Sequence, residues 1–135
     1  MHNDGFNLAR HNLVSASQNV IENWPTSLVI SQAGGDILTG TDLKNLSKDN
    51  PVREAYYIFF GSNYCNRPSW DEIAVLYGVR GLTTYFNRIT GGKGRLPNGY
   101  EWKMQSGHRS YLKTKLGNSR YAEIIENLMM IQPKK

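Results

Sequence analysis

The stretch SWDEIAVLYGVRGLTTYFNRITGG, residues 69–92, predicts two short helices joined by a tight turn, with a glycine pair closing the second. Ser69 and Glu72 stand at the spacing of a capping box, in which the serine hydroxyl accepts from the third helical amide and the glutamate reaches back to the serine amide. Trp70, Ile73, Ala74 and Tyr77 recur at helical spacing and form the expected buried face. Gly78, having no Cβ, is the expected break. In the second run Leu82, Phe86 and Ile89 fall on one face and Thr83, Thr84, Asn87 and Arg88 on the other. Apolar residues inward, with short hydrogen-bonding residues and an arginine outward, make a helix suited to a DNA major groove. The alternative for the same residues is a helical hairpin with a structural role alone.

Trp70, Ile73, Ala74, Leu76, Arg80 and Asn87 also fall at the spacing of the Myb/SANT repeat, and over residues 69–92 the chain resembles that homeodomain-like helix-turn-helix. The resemblance implies that Trp70 and Ile73 are core and that the second helix of the stretch carries base contacts. Gly81 stands where the pattern usually has threonine, and Ile89 where a closing tryptophan is common.

Working outward, Pro97, Asn98 and Gly99 form a turn signal between candidate hairpin arms, Arg95–Leu96 and Tyr100–Trp102. A basic hairpin directly after a reading helix is the wing of a winged helix-turn-helix. Lys93, Arg95 and Lys103 suit phosphate contacts there, and Trp102 suits an anchor into the core. Residues 105–115, QSGHRSYLKTK, would place Arg109, Tyr111, Lys113 and Lys115 on one face if extended. His108 among these cations is the candidate general acid/base of a metal-independent ribonuclease, with His11 or Glu101 as the second group that chemistry needs. The other reading of His108 is a solvated or phosphate-touching side chain.

Upstream, Asn50 followed by Pro51 marks a helix start, with Val52, Ala55, Tyr56, Phe59 and Phe60 as its apolar positions. Residues 13–24 read as an amphipathic helix stopped by Pro25, with Leu13, Ala16, Val20 and Trp24 inward. Residues 26–31, TSLVIS, read as a strand or equally as a buried extended linker. The glycine-rich AGGDILTGTDLK, residues 33–44, lacks the lysine of a phosphate loop and carries Asp36, so it reads as a turn or hairpin. At the other end, Tyr121, Ile124, Ile125, Leu128 and Met129 make the apolar stripe of a last helix, whose Met129 and Met130 are candidates for a homodimer seam.

The chain has 135 residues and 39 % hydrophobic content, enough for one folded domain with a real core. Its expected parts are an N-terminal helix and glycine-rich turn region (1–49), a three-helix helix-turn-helix (50–92), a basic hairpin segment (93–117) and a C-terminal helix (118–135). No apolar run approaches the roughly 18 residues of a membrane span, and no signal pattern opens the chain. The expectation is a cytoplasmic, nucleoid or nuclear protein, not a secreted one. The single Cys65 excludes an internal disulfide and a zinc knuckle. Net charge is +5, and between Arg80 and Lys115 eight basic residues face only Glu101.

The sequence therefore predicts a mainly α fold of about five helices with a small basic, wing-like β-hairpin. The expected partner is nucleic acid, DNA before RNA, with no cofactor and no metal. Thr83, Thr84, Asn87 and Arg88 are the expected base contacts. Arg80, Lys93, Arg95, Lys103, Arg109, Lys113 and Lys115 are the expected phosphate contacts. The alternatives are the ribonuclease built on His108 and a SANT-like protein-interaction module.

Overall fold

The stretch that predicts two helices contains one. Residues Trp70–Arg80 form a single α-helix that passes through Gly78 and stops at Gly81, whose φ of +69° is a left-handed conformation that glycine adopts without a Cβ penalty. Phe86–Ile89, expected in a reading helix, is a β-strand. Phe86 and Ile89 satisfy a helical spacing, yet the run from Thr84 to Thr90 is rich in aromatic and β-branched residues that favour a pleated backbone. Phe86 turns in and Asn87 turns out, the alternation of a strand.

The structure, a computed structural model, describes residues 2–3, 12–82, 84–96, 98–104 and 108–132. Its elements run β1 (His2–Asn3), α1 (Val14–Asn23), β2 (Leu28–Ile30), β3 (Leu38–Thr39), a 3-10 helix (Thr41–Asn45), α2 (Pro51–Phe59), β4 (Arg67–Pro68), α3 (Trp70–Arg80), β5 (Phe86–Ile89), β6 (Lys93–Arg95), β7 (Glu101–Lys103), β8 (Arg109–Thr114) and α4 (Asn118–Met129). The sheets have the orders β1–β6–β7, β2–β8–β5 and β3–β4. With four α-helices and three small sheets among the described residues, the fold is mixed α/β. That corrects the mainly α, five-helix helix-turn-helix expected from the sequence. The basic hairpin is present, but it follows a strand.

Two compact units divide the chain, each assembled from two separated stretches: Met1–Gln32 with Asn87–Lys113, and Ala33–Phe86 with Thr114–Lys135. In the first, β2 runs parallel to β8, with Leu28 opposite Arg109 and Ile30 opposite Tyr111. Its core holds Ile21, Leu96, Trp102, Met104 and Tyr111, with Val14, Ile30, Ile89 and Tyr100 packed against them. Helix α1 contributes Ser17 and Ile21 to the buried side, while Leu13, Ala16, Val20 and Trp24, expected inward, are all exposed. It ends before Pro25, as expected, with Trp24 already extended.

In the second unit Phe86 stacks on Tyr121 at 5.6 Å and meets the edge of Tyr77 at 6.0 Å. The Tyr121 hydroxyl donates to the Tyr85 carbonyl and accepts from the Lys115 amide. Helix α2 begins as expected: the Asn50 side chain accepts from the Arg53 amide at 2.9 Å and Pro51 is the first helical residue. Its buried residue is Arg53, whose guanidinium lies over the rings of Tyr57 and Tyr64, whereas Phe59, expected in the core, is exposed. The capping box does not form. The buried Ser69 hydroxyl hydrogen-bonds that of Thr39 at 2.8 Å, and Glu72 accepts from the Tyr56 phenol. Trp70 is half exposed, and Ile73 and Leu76 are the residues α3 buries.

Candidate nucleic-acid interface

The hairpin of β6 and β7 has two unlike faces. Lys93 pairs with Lys103, Gly94 with Trp102, and Arg95 with Glu101. Because side chains alternate along a strand, Gly94 and Trp102 fall on one face and the four charged residues on the other. The Gly94 side is sealed: Trp102 is buried in the core of the first unit and stacks with Tyr100 at 6.1 Å. On the other side Lys93, Arg95 and Lys103 are exposed. The turn is built locally, as expected. Gly99 has φ +90°, the Asn98 side chain accepts from the Tyr100 amide, and the Leu96 amide donates to the Tyr100 carbonyl.

The charged face is under electrostatic tension. Lys93 and Lys103 are directly opposite, an arrangement of like charges that destabilises a strand pair. Glu101 relieves Lys93 through a 3.0 Å ion pair. Arg95 and Lys103 join no ion pair among the described residues. The face therefore carries more positive charge than it neutralises. An anion there would remove the repulsion.

The strand β5 presents Asn87 to solvent, while Arg88 is half buried. The Arg88 Nε donates to the Ser110 hydroxyl at 3.1 Å and Nη2 donates to Ser27 at 3.3 Å. Arg88 was expected on the outer face of a reading helix; the strand instead turns its guanidinium onto two serines. Sequence spacing has no signal for this, because Ser27, Arg88 and Ser110 meet only through the sheet.

Residues Arg109–Thr114 are extended, as strand β8, but do not form a uniform basic stripe. Tyr111 is in the core, Arg109 is half buried and Lys113 is exposed. The Arg109 Nε is buried without a hydrogen-bond partner among the described residues. Burial raises the Tyr100 phenol above its ordinary pKa, the hydrogen-bonded Glu22 carboxylate adds to the shift, and the Arg109 charge opposes it. His108 is half buried at the start of β8, where its carbonyl accepts from the Leu28 amide at 2.6 Å. No hydrogen bond or ion pair joins its ring to a second acid or base among the described residues. Of the two expected partners, Glu101 is held by Lys93 and His11 lies outside the described residues.

The expected contacts are thus distributed over both units. Asn87, Arg88, Lys93, Arg95, Lys103, Arg109 and Lys113 belong to the first. Thr84, exposed in the turn before β5, and Arg80 and Lys115 belong to the second. Thr83 lies outside the described residues. The first unit has seven Lys and Arg against three Asp and Glu, the second nine against eight, so the charge excess is concentrated in the first. Among the described residues no cluster of His, Cys, Asp and Glu could hold a metal, and no helix is long and apolar enough to cross a membrane. Comparison of this chain with protein-family models, with curated proteins and with solved structures found no match.

Proposed function

We propose that the chain binds nucleic acid, duplex DNA in the first instance, through the charged face of the β6–β7 hairpin. The observation that carries this reading is the opposed pair Lys93 and Lys103 beside Arg95, exposed on a ribbon whose other side is core. A strand pair that sets two lysines face to face gives up stability that the Lys93–Glu101 ion pair restores only in part, and a phosphate at Lys103 and Arg95 would neutralise the charge that remains. A two-stranded ribbon has the width to enter a major groove. Lys93, Arg95 and Lys103 hold phosphates in this reading, with Lys113 as a further cation of the same unit and Asn87 as a side chain able to meet a base edge. Arg88, engaged by Ser27 and Ser110, braces the sheet.

The test is a fluorescence-anisotropy titration of labelled duplex, single strand and RNA at two salt concentrations. Three phosphate contacts predict affinity falling roughly 40-fold between 50 and 200 mM salt, from a slope of about 0.9 per contact on B-DNA. The triple variant K93Q/R95Q/K103Q should lose most of both the affinity and the slope. Binding that ignores salt, or a variant indistinguishable from wild type, refutes the reading. Tighter binding to single strand or RNA would keep the surface and change its ligand.

A further inference from the structure

Arg88 carries a charge that no described carboxylate neutralises. It is half buried on the edge strand β5, and its guanidinium reaches across the central strand β8. There Nε donates to the fully buried Ser110 hydroxyl at 3.1 Å, and Nη2 donates to Ser27, just before β2, at 3.3 Å. Both partners are neutral. A charge withdrawn from water is costly unless it is paired, and the buried Arg53 of the second unit meets Glu54 at 3.0 Å in that way. Arg88 joins no ion pair among the described residues. Of the three acids of the first unit, Glu101 is held by Lys93, Glu22 accepts from Gln18, and Asp4 lies outside the described residues.

The serines also decide how Arg88 points. Nε and Nη2 form the side edge of the guanidinium, and the two hydroxyls occupy it. The end edge, Nη1 and Nη2, keeps its pair of parallel donors, held in one orientation by the bonds at the side. Ser27 accepts from Nη2 and retains its own proton as an exposed donor beside that edge. We infer that Arg88 and Ser27 form a binding site for a phosphate monoester. Two phosphoryl oxygens take the end edge in the bidentate manner of arginine–phosphate pairs, and the third, out of the guanidinium plane, accepts from Ser27. The donor set selects this class. A planar carboxylate has two oxygens, which the edge satisfies alone, and a phosphodiester has two unesterified oxygens; a monoester has three. Ser110 is a positioning residue that touches no ligand. The site uses none of Lys93, Arg95 and Lys103, so it is independent of the hairpin reading.

Nuclear magnetic resonance of the arginine Nε–H groups in the full chain tests this, as inorganic phosphate replaces chloride at constant ionic strength. The Arg88 signal, assigned through its own backbone, should shift saturably. S27A leaves the charge in place and should weaken phosphate about tenfold, as for one hydrogen bond to a charged group. R88K should weaken it by about tenfold or more, because an ammonium cannot make the bidentate contact. Acetate should bind more weakly than phosphate and equally to wild type and S27A. Should R88K fail to fold by circular dichroism, S27A at its exposed hydroxyl and the acetate comparison decide. A short single strand with and without a 5′-phosphate, added to K93Q/R95Q/K103Q, identifies the source. Preference for the phosphorylated end assigns a nucleic-acid terminus, and no preference with inorganic phosphate still bound assigns a phosphorylated small molecule. No saturable shift at Arg88, or equal phosphate affinity in wild type and S27A, overturns the inference and leaves the hairpin untouched.

Discussion

Gly94 lies under the indole of Trp102, so closely that a Cβ on Gly94 would stand 2.1 Å from the ring atom Cζ2. The cross-strand register sets the two residues opposite one another, and the ring fills the space a side chain would take. The charged face is backed by this contact. Gly94→Ala should destabilise the protein by about 1–3 kcal/mol through overpacking, measured as a lower urea midpoint. Combined with Trp102→Leu it should cost less than the two changes summed, since the smaller side chain vacates the contested space. Strict additivity would show that the two residues do not compete.

Local charge, not net charge, should govern nucleic-acid binding. Lys103→Gln and Lys44→Gln lower the net charge equally, but Lys44 is in the 3-10 helix of the second unit. The Lys103 variant should reduce the salt slope by about 0.9 and the Lys44 variant should leave it near the wild-type value. Equal slopes from both would assign the affinity to overall charge.

Glu126 of α4 accepts hydrogen bonds from the backbone amides of Gly40 at 3.0 Å and Asp42 at 2.9 Å. It supplies from a distance the cap that the 3-10 helix lacks in its own sequence, where no side chain caps the start. Glu126→Ala should cost about 1.5–3 kcal/mol, as for lost hydrogen bonds to a charged group. Glu126→Gln, which keeps an acceptor, should cost less. Hydrogen exchange at the Gly40 and Asp42 amides should accelerate in the alanine variant first.

The Tyr56 phenol is raised above its ordinary value of 10.0, first by burial, with the nearby Glu72 carboxylate adding to the shift and a Thr39 hydrogen bond and Arg67 opposing it. A phenol that holds its proton more tightly folded than unfolded stabilises the protein fully below pH 10, and that stability is lost as pH rises from there through the folded value. Tyr56→Phe should therefore melt with a shallower alkaline decline than wild type above pH 10. An unchanged slope would mean that Tyr56 ionises equally in both states.

Where residues signal locally, the sequence is legible. Asn50 with Pro51, the turn at Asn98 and Gly99, the strand over Leu28–Ile30 and the last helix all depend on neighbours a few positions away. The misread stretch depends on distant ones. Phe86 and Ile89 fit helix and strand alike, and the pairing of β5 with β8 determines which forms. The same applies to the candidate interface. Lys93, Arg95 and Lys103 are legible because a two-arm hairpin fixes their faces. Arg88 is not, since its serines come from two other parts of the chain. Tyr111 looks like one member of a basic stripe until the core of the first unit takes it.

The parallel pairing of Leu28 with Arg109 has a consequence on the ribosome. Synthesis delivers Ile21 and Ile30 early, whereas Leu96, Trp102 and Tyr111, with which they pack, emerge only after the whole intervening Ala33–Phe86 segment. The nascent chain must carry those apolar residues uncovered through most of its elongation, a period in which chaperones and proteases compete for them. Completion of the first unit is a late and abrupt event, and a transcript truncated before Arg109 should yield a product the cell degrades.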